Sequence, residues 1–200
     1  MTRILLATRN GKKLAELRRI LQEAAAVELI GLDDIEPYDE TPETGATFAE
    51  NALLKAREGA RHSGLVTVGD DSGLTVEALN GMPGVLSARW AGQPRDDERN
   101  VDLVLEQLRD VPAERRGAAF VCAAGVATPD GREEVVEGRL AGALITRRRG
   151  TGGFGYDPIF VAAGHHRTTA ELTPADKDAI SHRGQALRAL VPVIGRLTAG

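Results

Sequence analysis

The chain has 200 residues but only one cysteine, Cys122, and aromatic residues make up 4% of it. A lone thiol excludes a disulfide-stapled scaffold and gives structural zinc no ligand set. Cys122 lies in the apolar run Ala118-Ala119-Phe120-Val121-Cys122-Ala123-Ala124, where a small buried hydrophobe is the expected role. Basic excess is also missing. Lys and Arg number 25 against 29 Asp and Glu, for a formal charge of -4, so nothing in the overall charge would hold a nucleic-acid backbone, and any phosphate site must be local. Long hydrophobic stretches are absent too. The apolar run at the N-terminus, Ile4-Leu5-Leu6-Ala7, falls far short of the about 20 residues that span a bilayer and is too short for a signal peptide. No membrane association and a cytoplasmic location are therefore the expectation. The length suits one domain, or two lobes sharing a sheet, with a substantial core. No internal repeat, low-complexity tract or linker interrupts it.

What is present alternates strand and helix. Arg3 to Ala7 reads as a buried strand, and Leu14, Leu17, Ile20 and Leu21 keep helical spacing after the polar turn Thr8-Arg9-Asn10-Gly11. Val27 to Gly31 gives a second strand, followed by an acidic loop bearing Pro37, Pro42 and Gly45; loops of that length are usually functional or mobile. Thr47 with Glu50 three residues on is a capping box for a helix through Ala60, which carries Asn51 and Lys55 on neighbouring turns. Val66 to Gly69 is the next strand, and Asp96 to Leu108 the next amphipathic helix. Gly117 to Thr128 and Arg132 to Ile145 are β-rich runs joined by Pro129-Asp130-Gly131, the signal of an antiparallel hairpin. The sheet is thus mixed, and the hairpin could project as a second lobe. Pro158 to Val161 is a further strand, Thr173-Pro174 opens a helix, and the C-terminus is mostly helical.

Several segments carry candidate chemistry. Val68-Gly69-Asp70-Asp71-Ser72-Gly73-Leu74 sets two carboxylates at a strand end before an expected glycine turn, a place to hold Mg²⁺; on its own, such a pair more often marks an ordinary solvated turn. Thr8-Arg9-Asn10-Gly11-Lys12-Lys13 joins strand to helix, where free N-H groups and the helix dipole favour an anion, although a capped helix start needs the same residues. It is not a Walker loop, which would need glycine at Leu6 and Ser or Thr at Lys13. Gly150-Thr151-Gly152-Gly153-Phe154-Gly155 satisfies GxGxxG in form only, since Tyr156-Asp157-Pro158-Ile159 follows and predicts extended chain instead of a helix. Such a loop could let a flat ring stack on an aromatic while backbone groups read its edge; a simple turn is the plainer reading. Lys177 and Ser181-His182-Arg183-Gly184 put cations near a helix start, where the dipole disfavours them, which suggests an acceptor-rich partner or merely a solvated face. Arg147-Arg148-Arg149 reads as a solvated run and His165-His166 as surface.

Taken together, Ala7-Thr8-Arg9-Asn10, Thr44-Gly45-Ala46-Thr47-Phe48-Ala49-Glu50-Asn51-Ala52, Asp70-Asp71-Ser72-Gly73-Leu74, Pro83-Gly84-Val85-Leu86-Ser87-Ala88-Arg89, Gly152-Gly153-Phe154-Gly155-Tyr156-Asp157-Pro158 and Ser181-His182-Arg183-Gly184 resemble the inosine triphosphate pyrophosphatase family, in its bacterial dITP/XTP pyrophosphatase branch. The resemblance spans nearly the whole chain. It implies an α/β fold: an elongated mixed β-sheet flanked by helices, one domain over residues 1–200 with two lobes and a central nucleotide cleft. It further implies a homodimer and Mg²⁺-dependent hydrolysis of ITP, dITP and XTP to monophosphate and pyrophosphate. By position, Asp71 resembles the general base and a metal-associated carboxylate, with Asp70 and Glu43 as further metal contacts. Ser72 would touch substrate. Thr8, Asn10 and Lys13 match the phosphate-binding turn, with Arg9, Gly11 and Lys12 beside them where members vary. Lys55 and Lys177 look like further polyphosphate or base-site cations, Phe154, Gly155, Tyr156 and Asp157 like the purine loop, and His182 and Arg183 like readers of the base.

Two other readings stay open at this point. A Maf-type nucleotide pyrophosphatase shares an Asn-bearing first turn but prefers other bases. A nucleotide- or RNA-binding module without catalysis would use the same basic turn and glycine loop, although the Asp70-Asp71 pair would repel a polyanion without a metal.

Overall fold

Ile4, Leu5 and Leu6 are fully buried in β1, Thr2–Leu6, as a short run flanked by parallel neighbours requires. The computed structural model describes residues 2–24, 27–39 and 42–198, with the side chains of 2, 12 and 22–24 outside that set. Asn10 ends the following turn by accepting the Lys13 amide on Oδ1 at 3.2 Å, and α1 begins at Gly11 and runs to Ala24. β2, Val27–Gly31, pairs parallel with β1, and so does β3, Val66–Val76. Between them lies α2, Phe48–Ser63, with Thr47 accepting the Glu50 amide at 3.2 Å. The return half of the expected capping box goes one residue further out: the Glu50 carboxylate accepts from the amide of Ala46 at 2.6 Å.

α3, Asp97–Gln107, starts on Asp96, whose carboxylate accepts the amides of Glu98 and Arg99. β4, Gly117–Ala127, and β5, Glu133–Leu144, form the hairpin that Pro129-Asp130-Gly131 announced, closed by Thr128 N-H donating to Arg132 O at 2.9 Å. β6, Phe160–Ala162, runs antiparallel to β5. α4, Pro174–Ile180, has Thr173 as its cap, and α5, His182–Thr198, ends the described chain. The six strands are ordered β2-β1-β3-β4-β5-β6, a mixed sheet in an α/β fold.

Two compact units divide the chain. The first comprises residues 1–71, 122–138 and 183–200, and the second 72–121 and 139–182. The first unit's core sets Ile4, Leu6 and Val68 against Leu17, Ile20 and Leu21 of α1 and Leu187 and Leu190 of α5, and Cys122 is buried there as expected. The second packs Leu74, Val76, Val101, Val104, Phe120, Tyr156 and Phe160 together. Among the described residues no helix is long and apolar enough to cross a membrane.

One expectation fails in an informative way. The chain does not turn at Ser72-Gly73; β3 continues through both to Val76. Gly73 serves close approach instead. A Cβ there would collide with Ser87 Oγ and stand 2.6 Å from Gly84 O. The Ser87 hydroxyl accepts the Leu74 amide at 2.9 Å and donates to Gly84 O at 2.6 Å, so a serine replaces the missing side chain and holds the strand straight.

Candidate active site

Because β3 is unbroken, its alternation decides where the two carboxylates go. Val68 and Asp70 share the face covered by α1 and α5, whereas Gly69 and Asp71 share the face covered by α2, where a Cβ on Gly69 would meet Ala56 N at 2.9 Å. Asp70 is 1% exposed and accepts from Lys13 Nζ on Oδ2 at 2.9 Å, with Arg183 Nε 3.5 Å from the same oxygen. Arg183 is buried as well and pairs through NH1 with Glu16, itself buried on α1 one turn beyond Lys13. Lys13, Asp70, Arg183 and Glu16 thus form a chain of alternating charge, buried except at its partly exposed Lys13 end. Such a group is tolerable in a low-dielectric interior only because each charge is compensated.

Asp71 sees a different environment. Its Oδ2 accepts from Asn51 Nδ2 at 2.9 Å, and its Oδ1 lies 3.9 Å from Lys55 Nζ. Lys55 also donates to the backbone oxygen of Asp70 at 3.0 Å and pairs with Glu43 Oε1 at 2.5 Å. Burial raises the Asp71 carboxyl above its ordinary value, against the opposing pull of Lys55 and the Asn51 hydrogen bond. For Asp70 burial acts in the same direction, but Lys13, Arg183 and Lys55 together hold it well below the usual carboxylate range. Adjacent acids driven apart in this way are suited to different tasks: a permanent charge, and a group able to take a proton. Lys55, despite burial, is kept firmly protonated by Asp70, Asp71 and Glu43.

The remaining residues of the first turn divide. Thr8 Oγ1 accepts the Asn10 amide at 3.3 Å, so Thr8 and Asn10 shape the turn that presents Lys13. Gly11 is exposed at the helix start. Arg9 is drawn to Tyr38, donating to its backbone oxygen at 2.6 Å with the guanidinium 5.7 Å from the ring centroid. The Lys12 side chain lies outside the described residues.

The second unit holds the glycine loop, whose hub is Asp157. The Asp157 Oδ2 accepts the Phe154 amide at 2.8 Å and pairs with Lys177 Nζ at 2.6 Å, while Oδ1 accepts from Thr169 Oγ1 at 2.7 Å. Lys177 Nζ lies 4.9 Å from the centroid of the Phe154 ring, a cation–π distance. A Cβ on Gly153 would run into the Asp157 carboxylate. Gly155 donates its amide to Asp97 at 2.9 Å, and the Tyr156 hydroxyl donates to Ser87 O at 2.8 Å. His182 is nearly buried and stacks on Phe120 with centroids 5.0 Å apart. Ser72 is half-buried in β3 beside Asp71.

Several participants escaped the sequence reading. Asn51 belongs to a resemblance motif but carries no assigned role there, yet its spacing of four residues from Lys55 places both side chains on one face, and both reach Asp71. Glu16 gave no local signal, because its partner Arg183 is 167 positions away in sequence. Thr169 did have one: Thr168-Thr169-Ala170-Glu171 has the spacing of a helix-opening cap, and the Thr168 amide donates to Glu171 at 2.7 Å.

A mixed α/β protein with paired strand carboxylates attended by lysines is the class that fold and site define. Comparison makes it specific: the Ham1 family model matches residues 4–193, and the chain belongs to that family. The dITP/XTP pyrophosphatase of Nocardia farcinica is 61% identical over 199 residues, covering 98% of this chain and 97% of that protein. That of Mycobacterium tuberculosis is 55% identical over 202 residues, covering 100% and 98%. A crystal structure of a nucleoside-triphosphatase (dITP/XTP pyrophosphatase) from Mycobacterium abscessus aligns with a TM-score of 0.79 at 60% identity, over 96% of this chain and 100% of that one. A HAM1 protein structure from Coxiella burnetii aligns with a TM-score of 0.88 at 41% identity, over 98% and 100%. Membership in this family sets the Maf-type alternative aside.

Proposed function

We propose that this chain hydrolyses deaminated purine nucleoside triphosphates, dITP, XTP and ITP, to the monophosphate and pyrophosphate, and so clears them from the nucleotide pool. The observation that carries this reading is the pair of ammonium groups on the Asp70-Asp71 segment, Lys13 on the Asp70 carboxylate and Lys55 on its backbone oxygen. A triphosphate brings close to four negative charges, and two lysines already seated on acceptors are placed to exchange them for phosphate oxygens. Asp71, hydrogen-bonded by Asn51 and raised by burial, would orient the attacking water and take its proton. The pyrophosphate leaving group would depart with its charge met by the lysines.

Mg²⁺ belongs to the same proposal. Lys55 Nζ lies 2.5 Å from Glu43 and 3.9 Å from Asp71, so those two carboxylates already attend one cation. Among the described residues no group of three or more His, Cys, Asp or Glu could hold a metal; Mg²⁺ needs only one or two carboxylates when substrate phosphates and waters complete its shell. We assign it to Glu43 and Asp71 and leave Asp70, on the other face of β3, as their charged neighbour. When bound, the ion would neutralise charge on the triphosphate.

Discrimination of the base would fall to His182 and the Phe154-Gly155-Tyr156-Asp157 loop. Donors aimed at a 6-oxo group are left unpaired by adenine, a penalty able to reach about 10⁴; excluding guanine's amino group is a separate steric task. Arg183, expected from the motif to read the base, is committed to Glu16 and Asp70, and we assign it to the support of Asp70. A cytoplasmic homodimer completes the proposal, and a sedimentation mass of about twice 21.2 kDa would support that part of it. The decisive assay is pyrophosphate and monophosphate release from ITP, XTP, dITP, ATP, GTP and dTTP, each with Mg²⁺ and with EDTA. Mg²⁺-dependent cleavage concentrated on the first three is the expected result. Binding without cleavage would instead favour a nucleotide-binding module.

A further inference from the structure

The glycine loop is fixed from outside by a second segment of the same unit, residues 168–170. Thr168 Oγ1 donates to Arg149 O at 2.8 Å, just before the loop begins. The Gly152 amide donates to Ala170 O at 3.0 Å, in the middle of the loop. Thr169 Oγ1 donates to Asp157 Oδ1 at 2.7 Å, at its end. Three consecutive residues therefore hold the start, middle and end of one loop, and all three are buried.

Of the three contacts, Thr169 has the longest reach. Asp157 is buried, and its Oδ2 is shared between the Phe154 amide and the Lys177 ammonium. The Thr169 hydroxyl, 2.7 Å from Oδ1 and 3.3 Å from the Asp157 backbone oxygen, adds a bond on the other oxygen and so restricts rotation of the carboxylate. The consequence passes along the chain Thr169, Asp157, Lys177 and Phe154, ending where Lys177 lies against the Phe154 ring. The orientation of that ring is thus set from both its backbone amide and the cation on its face.

We infer that Thr169 is a positioning residue for purine recognition: its hydroxyl locks the Asp157 carboxylate, and through it the Phe154 amide and Lys177, in the arrangement that receives the base. Thr169 is buried, so its hydroxyl would act through Asp157 and not on the nucleotide itself. The inference rests on the nucleotide reading above and adds to it a residue outside the motifs that define the family resemblance. Losing the hydroxyl costs the base its prepared seat while leaving the phosphate-handling residues of the other unit untouched, so the defect appears in binding of purine nucleotides and not in turnover of what binds.

The test uses the full chain and its Thr169→Val, Thr169→Ala and Thr169→Ser variants, with ITP and Mg²⁺ for steady-state kinetics, IMP for calorimetric binding, and inorganic tripolyphosphate as a probe without a base. Loss of one buried hydrogen bond predicts that Thr169→Val raises the KM for ITP and the Kd for IMP about tenfold. kcat should stay within about threefold, tripolyphosphate affinity should not change, and Thr169→Ser should behave like the parent. Amide exchange at Phe154 should quicken in Thr169→Val, a readout independent of any ligand. If the valine variant does not fold, Thr169→Ala decides by the same criteria. Unchanged IMP affinity in the variants overturns the inference, as does an equal loss toward tripolyphosphate, or failure of serine to rescue. A parent protein that neither cleaves ITP nor binds IMP overturns the proposed function first and this inference with it, whereas a parent that does both and variants that match it overturn the inference alone.

Discussion

Asp70 and Asp71 are neighbours in sequence but not in environment: the first is ion-paired with Lys13 and Arg183, and the second is hydrogen-bonded by Asn51 on the opposite face of β3. Their amide variants should therefore fail differently. Asp71→Asn keeps the shape and the Asn51 contact but removes the group that accepts a proton, so turnover of ITP should fall by about 10² or more with nucleotide binding retained. Asp70→Asn leaves Lys13 and Arg183 without their shared carboxylate. Stability should drop by about 3–5 kcal/mol, the usual cost of breaking a buried pair from one side. Thermal melts beside ITP kinetics separate the two outcomes. Equal loss of stability in both variants would contradict the division of roles.

Acid should reveal the same charge on Asp70 in the metal-free protein. Lys13, Arg183 and Lys55 overcome burial and keep its folded-state pKa low, so the folded protein binds this proton more weakly than the unfolded chain does. The contribution of Asp70 is then fully present above the unfolded value of about 3.9 and is lost as pH falls below it toward the folded value. Urea midpoints of the parent and Asp70→Asn should differ by a constant amount from pH 7 to about 5 and converge below about 4. A gap that widened on acidification would reverse the sign and refute the assignment.

How far the sequence could be read depended on whether the deciding interaction was local. Asn10, Thr47, Asp96 and Thr173 each bond to amides within three residues, so helix starts were visible in the chain, as was the Pro129-Asp130-Gly131 turn. Asp-Asp-Ser-Gly carries local turn chemistry, and there tertiary packing prevailed: Ser87, in a segment with no helical or strand periodicity, accepts the Leu74 amide and keeps β3 extended. The charge partners of Arg183 were hidden for the same reason. A cation at a helix start suggests an outside partner when the sequence is read alone, and the actual compensation comes from Glu16 on α1 and Asp70 on β3.

Cys122 offers a check on the first unit's core. It is fully buried among Ile4, Leu6, Val68, Leu187 and Leu190, and burial pushes its thiol up to about 12. At pH 8 the thiolate is scarce and out of reach, and only the thiolate is an effective nucleophile. Iodoacetamide should leave the native protein unmodified and label it at one site after unfolding in guanidinium, as read by intact mass. Rapid labelling of the native protein would mean that this core opens far more readily than its packing implies.

Gly73→Ala tests the packing that keeps the carboxylate strand straight. The added Cβ would meet Ser87 Oγ and come within 2.6 Å of Gly84 O. The Gly84 obstacle is backbone, so it cannot swing aside, and an overpacked site of this kind costs about 1–3 kcal/mol. For a chain of this size that corresponds to a fall in Tm of roughly 2–12 °C. Adding Ser87→Ala should recover only part of it, because the second change removes one clash but leaves the Leu74 amide without the hydroxyl that accepts from it. Full recovery in the double variant would show that the serine alone, and not the approach of the Gly84 backbone, forbids a side chain at position 73.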